Sequence, residues 1–344
     1  MLKWFEKVDK SRPAVISSRV RLARNWDEYP FPSKLNESDG AELVRRLECG
    51  LRELGSMDGR TYGYAYLGDL SELDRKAFKE RRVLNSTIAA QKTPAGLILS
   101  EEEDTGIVLN GTDHIRIQLV SPGLHLDELF RRADKIDDYI NERFSYAYDE
   151  KYGYLTSFPT NVGTGMRASV ILHLPTLSMG KKFGGLVAEM GRFGASVKGV
   201  YGEGSENYGA LYEVSNQKTL GLSEKEIVDL VTKVALQLSS QEAQVRKMAL
   251  EKHELECADE AYKSYGVLKY ARRLSAKDAM TFLSQLLSGL SDGLLKTAEP
   301  CAVYRLMLGI QPANLQKLSE RPLGKSELEM ARAAYLRSEL PELL

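Results

Sequence analysis

The sequence predicts an α+β unit over about the first 250 residues, followed by a smaller all-helical one. Three observations carry this. AVISSRVRLAR (14–24) has strand character, with Val15, Ile16, Val20 and Leu22 as β-branched and apolar positions. LDELFRRADKIDDYINERF (126–144) is amphipathic at helical spacing. Beyond residue 222 nearly every segment reads as helix, punctuated by Gly289, Gly293, Gly309, Pro300 and Pro312.

In chain order, residues 39–55 carry apolar groups at helical spacing. GLILSEE (96–102) and GIVLNGTDHIRIQLV (106–120) then read as two strand-like runs, with EEEDTG as the hairpin turn between them. GYLTSFPTNVGTGMRASVILHLP (153–175) begins loop-rich and turns apolar. VKGVYGEGSENYGALYEVSNQ (197–217) reads as two strands joined by a glycine-rich loop. Ser223 with Glu226 forms a capping box at the head of a long helix through Leu250. Ser275 with Asp278 heads another, and GKSELEMARAAYLRSEL (324–340) forms the last. The division into domains is expected near residue 250, giving 1–250 and 251–344.

Composition excludes several classes. Lys plus Arg number 47 against 48 Asp plus Glu, so no global field draws the chain to nucleic acid or an anionic membrane. No apolar run is long enough to span a bilayer, and the polar N-terminus is no signal peptide. The 3 cysteines (Cys49, Cys257, Cys301) are scattered and odd in number, against a disulfide framework or zinc site. A reducing, cytoplasmic setting is expected. His125, His173 and His253 show no ligand spacing and read as structural.

The chemistry begins with Arg19 and Arg21, two apart on one strand and therefore on one face. Alone, they read as solvated surface arginines. Arg116 lies in the apolar run HIRIQLV, and Arg167 follows a glycine turn and precedes another apolar run. Arginines embedded among buried neighbours normally have an anionic partner. Several of them with no matching run of acids point to an external anion, and guanidinium forks suit the oxygens of a nucleotide triphosphate. No GxxxxGK[ST] loop is present, so any ATP would be held by arginine side chains.

Taken together, SSRVRLARN, DHIRIQ, GYLTSFPTNVGTGMRASV and YGEGSENYGALYEVSNQ resemble, in order, the phosphagen kinase (ATP:guanidino phosphotransferase) family, the group containing creatine kinase and arginine kinase. The absence of that family's small N-terminal helical domain, Tyr201 in GVYGEGSE, and the helical C-terminal part resemble the branch that phosphorylates arginine side chains of proteins. The resemblance implies an antiparallel sheet flanked by helices, like the catalytic half of creatine kinase and glutamine-synthetase-like. It implies ATP with Mg2+ held mainly through the nucleotide. Ser17, Ser18, Arg19, Val20, Arg21, Arg116, Arg167, Ala168, Ser169, Val170, Ile171, Lys198, Gly199, Val200, Tyr201, Gly202 and Glu203 would line the nucleotide site. Arg19, Arg21, Arg116 and Arg167 would hold the phosphates. The implied partners are arginine-bearing protein substrates, an adaptor or activator protein with a Clp-type protease, and a second copy of the chain.

The acceptor side departs from the family. A guanidinium must lose a proton as its bond to phosphorus forms, which calls for carboxylates. The family's NEEDH block reads Asn110-Gly111-Thr112-Asp113-His114, so both glutamates are gone. Read as an unbroken strand, Thr112 shares a face with His114 and Arg116, and Asp113 points away. Glu206, with Glu203 nearby, keeps the glutamate of the glycine-rich loop and is the candidate catalytic group. Without the resemblance, these two read as an exposed acidic turn. Phe158 replaces the cysteine whose thiolate would contact the guanidinium. Of the arginine pair that would form an allosteric phosphoarginine pocket, Arg332 remains, Leu328 replaces the first, and Arg337 reads as solvated. Three readings stay open: an active protein-arginine kinase, a nucleotide-binding pseudokinase acting as a regulator, and a scaffold.

Overall fold

The structure is a computed structural model that describes residues 1–202 and 207–344. Strand β1 (Val15–Arg24) is followed by helices α1 (Glu37–Gly50) and α2 (Leu54–Asp58), strand β2 (Tyr62–Tyr66), and helices α3 (Glu72–Glu80) and α4 (Ser86–Ala89). Strands β3 (Gly96–Ser100), β4 (Thr105–Leu109) and β5 (Ile115–Pro122) form a meander leading into α5 (Leu126–Asn141). A two-stranded ribbon, β6 (Tyr148–Asp149) and β7 (Gly153–Tyr154), precedes β8 (Met166–His173), α6 (Pro175–Met179), α7 (Phe183–Arg192), β9 (Ala195–Gly199) and β10 (Leu211–Asn216). The remainder is helical: α8 (Glu224–Tyr270), α9 (Ala276–Ser291), α10 (Val303–Gly309), α11 (Pro312–Gln316) and α12 (Lys325–Glu339).

Eight strands form one antiparallel sheet in the order β2-β3-β4-β5-β1-β8-β10-β9. This is the α+β architecture the sequence predicts. Alternation along the strands sorts the two faces. Val20, Leu22, Ile115, Ile117, Leu119, Met166, Ala168, Val170 and Val214 point to one side and are buried. There they meet Leu43 and Leu47 of α1, Leu129, Ile136 and Ile140 of α5, and Ile227, Val231 and Leu238 of α8 in one apolar cluster. Each such side chain contributes about 1.5–3 kcal/mol by leaving water, so a charge at Val231 or Ile117 would break this layer. The opposite face carries the arginines, and toward β3 and β4 it is covered by a small apolar cluster that includes Ile88, Leu97 and Val108.

The capping box at Ser223 and Glu226 and the cap at Ser275 form as expected. At the expected division near residue 250 stands a kink within α8, where His253 leaves helical geometry (φ −140, ψ 42). The helices beyond it share an apolar cluster with Trp4, Val120, Ile171 and Leu211, so they close one end of the arginine-bearing face. Among the described residues, no helix is long and apolar enough to cross a membrane.

One expected strand breaks. The run 106–120 is not continuous: Asn110 takes a positive φ (53) and residues 110–114 turn. The turn interrupts the alternation that the sequence reading carried through Thr112, Asp113 and His114, and the strands on either side stay in phase.

Candidate functional site: an arginine-lined cleft

Register places the arginines side by side. Arg21 pairs with Arg167 on β8 and with Gln118 on β5, and Arg19 pairs with Ser169. Glu213 on β10 pairs with Ile171 and with Lys198, and Ser215 pairs with Ser169 and Ser196. Cross-strand partners share a face. Ser17, Arg19, Arg21, Arg116, Arg167, Ser169, Ile171 and Lys198 are therefore on one surface. Gly165 makes this possible at the mouth of β8. It has φ 61, and a Cβ there would lie 2.6 Å from the Ala23 carbonyl oxygen and 2.5 Å from Arg24 Nη1.

Four expected lining residues do not face the cleft. Ser18, Val20, Ala168 and Val170 occupy alternate positions of the same strands and point into the core. Ser18 Oγ donates to the Gly123 carbonyl at 2.8 Å and accepts from the His125 N–H. Lys198 and Gly199 stand exposed at the rim, while Val200 and Tyr201 pack against the C-terminal helices. Gly202, with φ 137, ends the described part of this segment. Glu203 and Glu206 lie outside the described residues.

The cleft has a volume of about 440 Å³ between Lys79, Arg82, Arg167, Lys198, Tyr201 and Glu213, the size of a small-ligand site. Three of these, Lys79, Arg82 and Glu213, were not found from sequence. Arg82, in the α3–α4 connection and at φ 65, reaches down to Glu213. Glu213 also accepts from Arg19 Nη2 at 2.7 Å. This corrects the expectation that the arginines lack internal counter-charge for one of the four, Arg19, whose partner is Glu213. Its place on an outward-facing strand position beside Arg19 was the one available signal, but Arg82 lies 131 residues away in sequence.

Among the described residues the guanidiniums of Arg21, Arg116 and Arg167 have no such partner, and the Arg116 side chain makes one hydrogen bond, to Gln118 Oε1 at 3.3 Å. Arg116 Nη1, Arg167 Nε, Arg82 Nη1 and the Tyr201 hydroxyl are buried with no hydrogen-bond partner among the described residues. Burial, reinforced by Arg19 and Arg167, lowers the Arg21 pKa to about 10. Burial, with Arg21 and Arg19 adding to it, pushes Arg116 well down. Burial alone would raise the Glu213 carboxyl, but Arg19 and Arg82 hold it at about 2. Such a surface has unspent donors and excess positive charge, and it fits a polyanion.

At the acceptor end, the turn at 110–114 changes the expected orientations of His114 and Asp113. His114 is fully buried: its Nδ1 accepts from the Trp26 N–H at 3.1 Å, and Nε2 donates to the Pro30 carbonyl at 3.0 Å. It does not face the cleft. Asp113 is the residue that does electrostatic work there, acting on both Arg21 and Arg116. Its Oδ1 accepts from Asn25 Nδ2 at 2.8 Å and from the Ser157 N–H at 2.7 Å. Asn25 also donates to the Leu155 carbonyl at 3.0 Å. Asp113 thus moors the loop that carries Phe158, which is 51% exposed.

The remaining candidates are accounted for structurally. Arg332 is buried and donates to the carbonyls of Ile310 (3.0 Å) and Leu274 (2.9 Å), so it holds helix ends together rather than facing a pocket. Arg337 is part-buried and donates to the Ala271 carbonyl, not merely solvated.

Residues 51–245 match the model of the ATP:guanido phosphotransferase C-terminal catalytic domain, and residues 254–343 match that of the protein-arginine kinase McsB C-terminal domain. A protein-arginine kinase of Caldanaerobacter subterraneus subsp. tengcongensis is 39% identical over 332 residues, covering 96% of this chain and 97% of that protein. Its counterpart in Bacillus subtilis is 35% identical over 337 residues, covering 98% and 93%. Among solved structures, lombricine kinase superposes with a TM-score of 0.59 at 23% identity over 73% of this chain and 70% of its own. A duplicated taurocyamine kinase from Schistosoma mansoni gives 0.59 at 22% identity over 98% of this chain and 46% of its own. These two likenesses show the fold. The chain belongs to the ATP:guanido phosphotransferase family.

Proposed function

We propose that the chain binds ATP in the arginine cleft and transfers its γ-phosphate to arginine side chains of proteins. The observation that carries this is the convergence of Arg19, Arg21, Arg116 and Arg167 on one face, three of them without an ion-pair partner among the described residues. Phosphoryl transfer asks mainly for positioning and charge neutralisation. Arg21, Arg116 and Arg167 suit the phosphate oxygens, with Ser169, Ser215 and the Tyr201 hydroxyl as neutral donors nearby. Magnesium carried on the nucleotide would add further neutralisation. The described residues hold no group of three His, Cys, Asp or Glu able to bind an ion alone, so it would rest on phosphate oxygens.

Proton removal from the acceptor falls to Glu206, assisted by Glu203. The relatives named protein-arginine kinase support a protein arginine as the acceptor. On this reading residues 1–250 form the catalytic unit. Residues 251–344 form a helical one suited to client docking and pairing with a second copy. Incubation with ATP and a basic protein, followed by phosphoarginine-specific mass spectrometry, tests the reading. Product from the unaltered chain but not from Glu206→Ala is expected. No product above that control ends it.

A second reading, a nucleotide-binding regulator without turnover, is favoured by one observation. Asp113, the carboxylate left in the acceptor block, spends Oδ1 on Asn25 and Ser157. Under that reading calorimetry detects ATP while the mass-spectrometric assay finds no phosphoarginine.

A further inference from the structure

Glu213 is out of place in a surface built to receive phosphate. It stands between Arg19 and Arg82, 2.7 Å from Arg19 Nη2, and lines the same cleft as Arg167 and Lys198. Its two oxygens are each taken by a different guanidinium, Oε1 by Arg19 and Oε2 by Arg82. That is the arrangement two phosphate oxygens would adopt. We propose that Glu213 is an internal anion of the cleft, a specificity-determining carboxylate that occupies Arg19 and Arg82 and that a polyphosphate ligand must displace or share them with.

Arg19, Arg21, Arg82, Arg116 and Arg167 crowd one face, and in the free protein their mutual repulsion is relieved by Glu213 at one end and Asp113 at the other. A bound polyphosphate relieves the same repulsion. Two anions that stabilise the same cations compete, by linkage. Glu213 therefore stabilises the free protein and weakens the ligand. It also favours ligands whose charge is spread toward Arg21, Arg116 and Arg167, away from the pair it already holds. Arg82 adds a second feature. It follows Glu80 and Arg81, which bond to Ala313 and Asn314 of α11, so the cation paired with Glu213 is anchored to the C-terminal helices. The proposal rests on the cleft being an anion site, and inorganic pyrophosphate tests it without requiring that the anion be a nucleotide.

The experiment compares the full chain with Glu213→Gln, which keeps the size and one hydrogen-bonding oxygen but removes the charge. Thermal unfolding gives the stability of the free protein, and calorimetric titration with pyrophosphate and with ATP gives affinity. The expected result is opposite movement: a lower Tm for the free variant and binding about tenfold tighter, the order expected when a like charge a few ångströms from the ligand is removed. If the variant folds only when pyrophosphate is present, that rescue supports the proposal equally. Weaker anion binding in Glu213→Gln, unchanged binding of both anions, or a variant that neither folds nor is rescued overturns it. Tighter pyrophosphate binding with no binding of ATP by either protein upholds the proposal and removes the nucleotide reading instead.

Discussion

Arg21 on β1 and Arg167 on β8 sit directly opposite one another, two like charges on neighbouring strands with no ion pair to either among the described residues. Opposed like charges destabilise a sheet. A fold carries such a pair when something outside it supplies the missing charge. Truncating Arg167 to Ala should therefore separate two quantities that ordinarily fall together. The free protein should be as stable as before or slightly more so, with Tm unchanged or raised by about 1–3 °C. ATP affinity should fall about 10–100-fold, the loss of one or two charge-assisted hydrogen bonds. Calorimetry and thermal unfolding on the same samples check this; equal loss of both would make Arg167 a structural residue.

Asp113 should behave in the opposite way. Its Oδ1 satisfies Asn25 Nδ2 and the Ser157 N–H, and the residue is buried. Asp113→Ala strands both donors, so a loss of about 2–4 kcal/mol in urea unfolding is expected. Asp113→Asn, which keeps an accepting oxygen, should lose about half as much or less. If Asn and Ala are equally harmful, the charge beside Arg21 and Arg116 matters more than the hydrogen bonds.

Glu80 predicts a link between the cleft and α11. Its carboxylate accepts from Ala313 N–H (2.8 Å), Asn314 N–H (2.9 Å) and Asn314 Nδ2 (3.0 Å), two residues before Arg82. Glu80→Ala should speed amide hydrogen exchange across residues 313–317 and also weaken ATP binding a few-fold through Arg82. Faster exchange at α11 with unchanged affinity would confine Glu80 to a local role.

Two buried groups, His173 and Glu213, make stability fall with acid. Burial, with Arg246 adding to it, lowers His173 from 6.5 to about 3, so the unfolded chain takes up a proton there that the folded one refuses. Stability is then full above pH 6.5 and falls as pH drops toward 3, by about 1.4 kcal/mol per unit from this group. Glu213 adds to the loss only below its ordinary value of 4.5, as pH falls toward about 2. Urea unfolding at pH 7 and pH 5 should show His173→Gln losing about 2 kcal/mol less than the unaltered chain on acidification. An identical pH slope in both would remove His173 as the acid-sensitive group.

The sequence made some of this legible and hid the rest for physical reasons. Alternation along β1 placed Arg19 and Arg21 on the face away from Val20 and Leu22, because a strand has a fixed period of two. The same rule failed only over residues 110–114, where Asn110 in a left-handed conformation begins a turn and His114 ends up buried; the flanking strands keep the alternation. Family ranges carried over whole included Ser18, Val20, Ala168 and Val170, whose side chains alternate into the core. The Arg82–Glu213 pair had no local signature, since its partners meet only after the sheet and the α3–α4 connection are assembled.

Calorimetric titration of ATP into the intact chain, alongside Arg116→Ala, tests the arginine cleft most directly. One saturable site per chain, weakened at least about tenfold by the substitution, is the predicted result. An intact chain that binds no ATP, or an Arg116→Ala variant that binds it as well as the intact chain, would contradict the account.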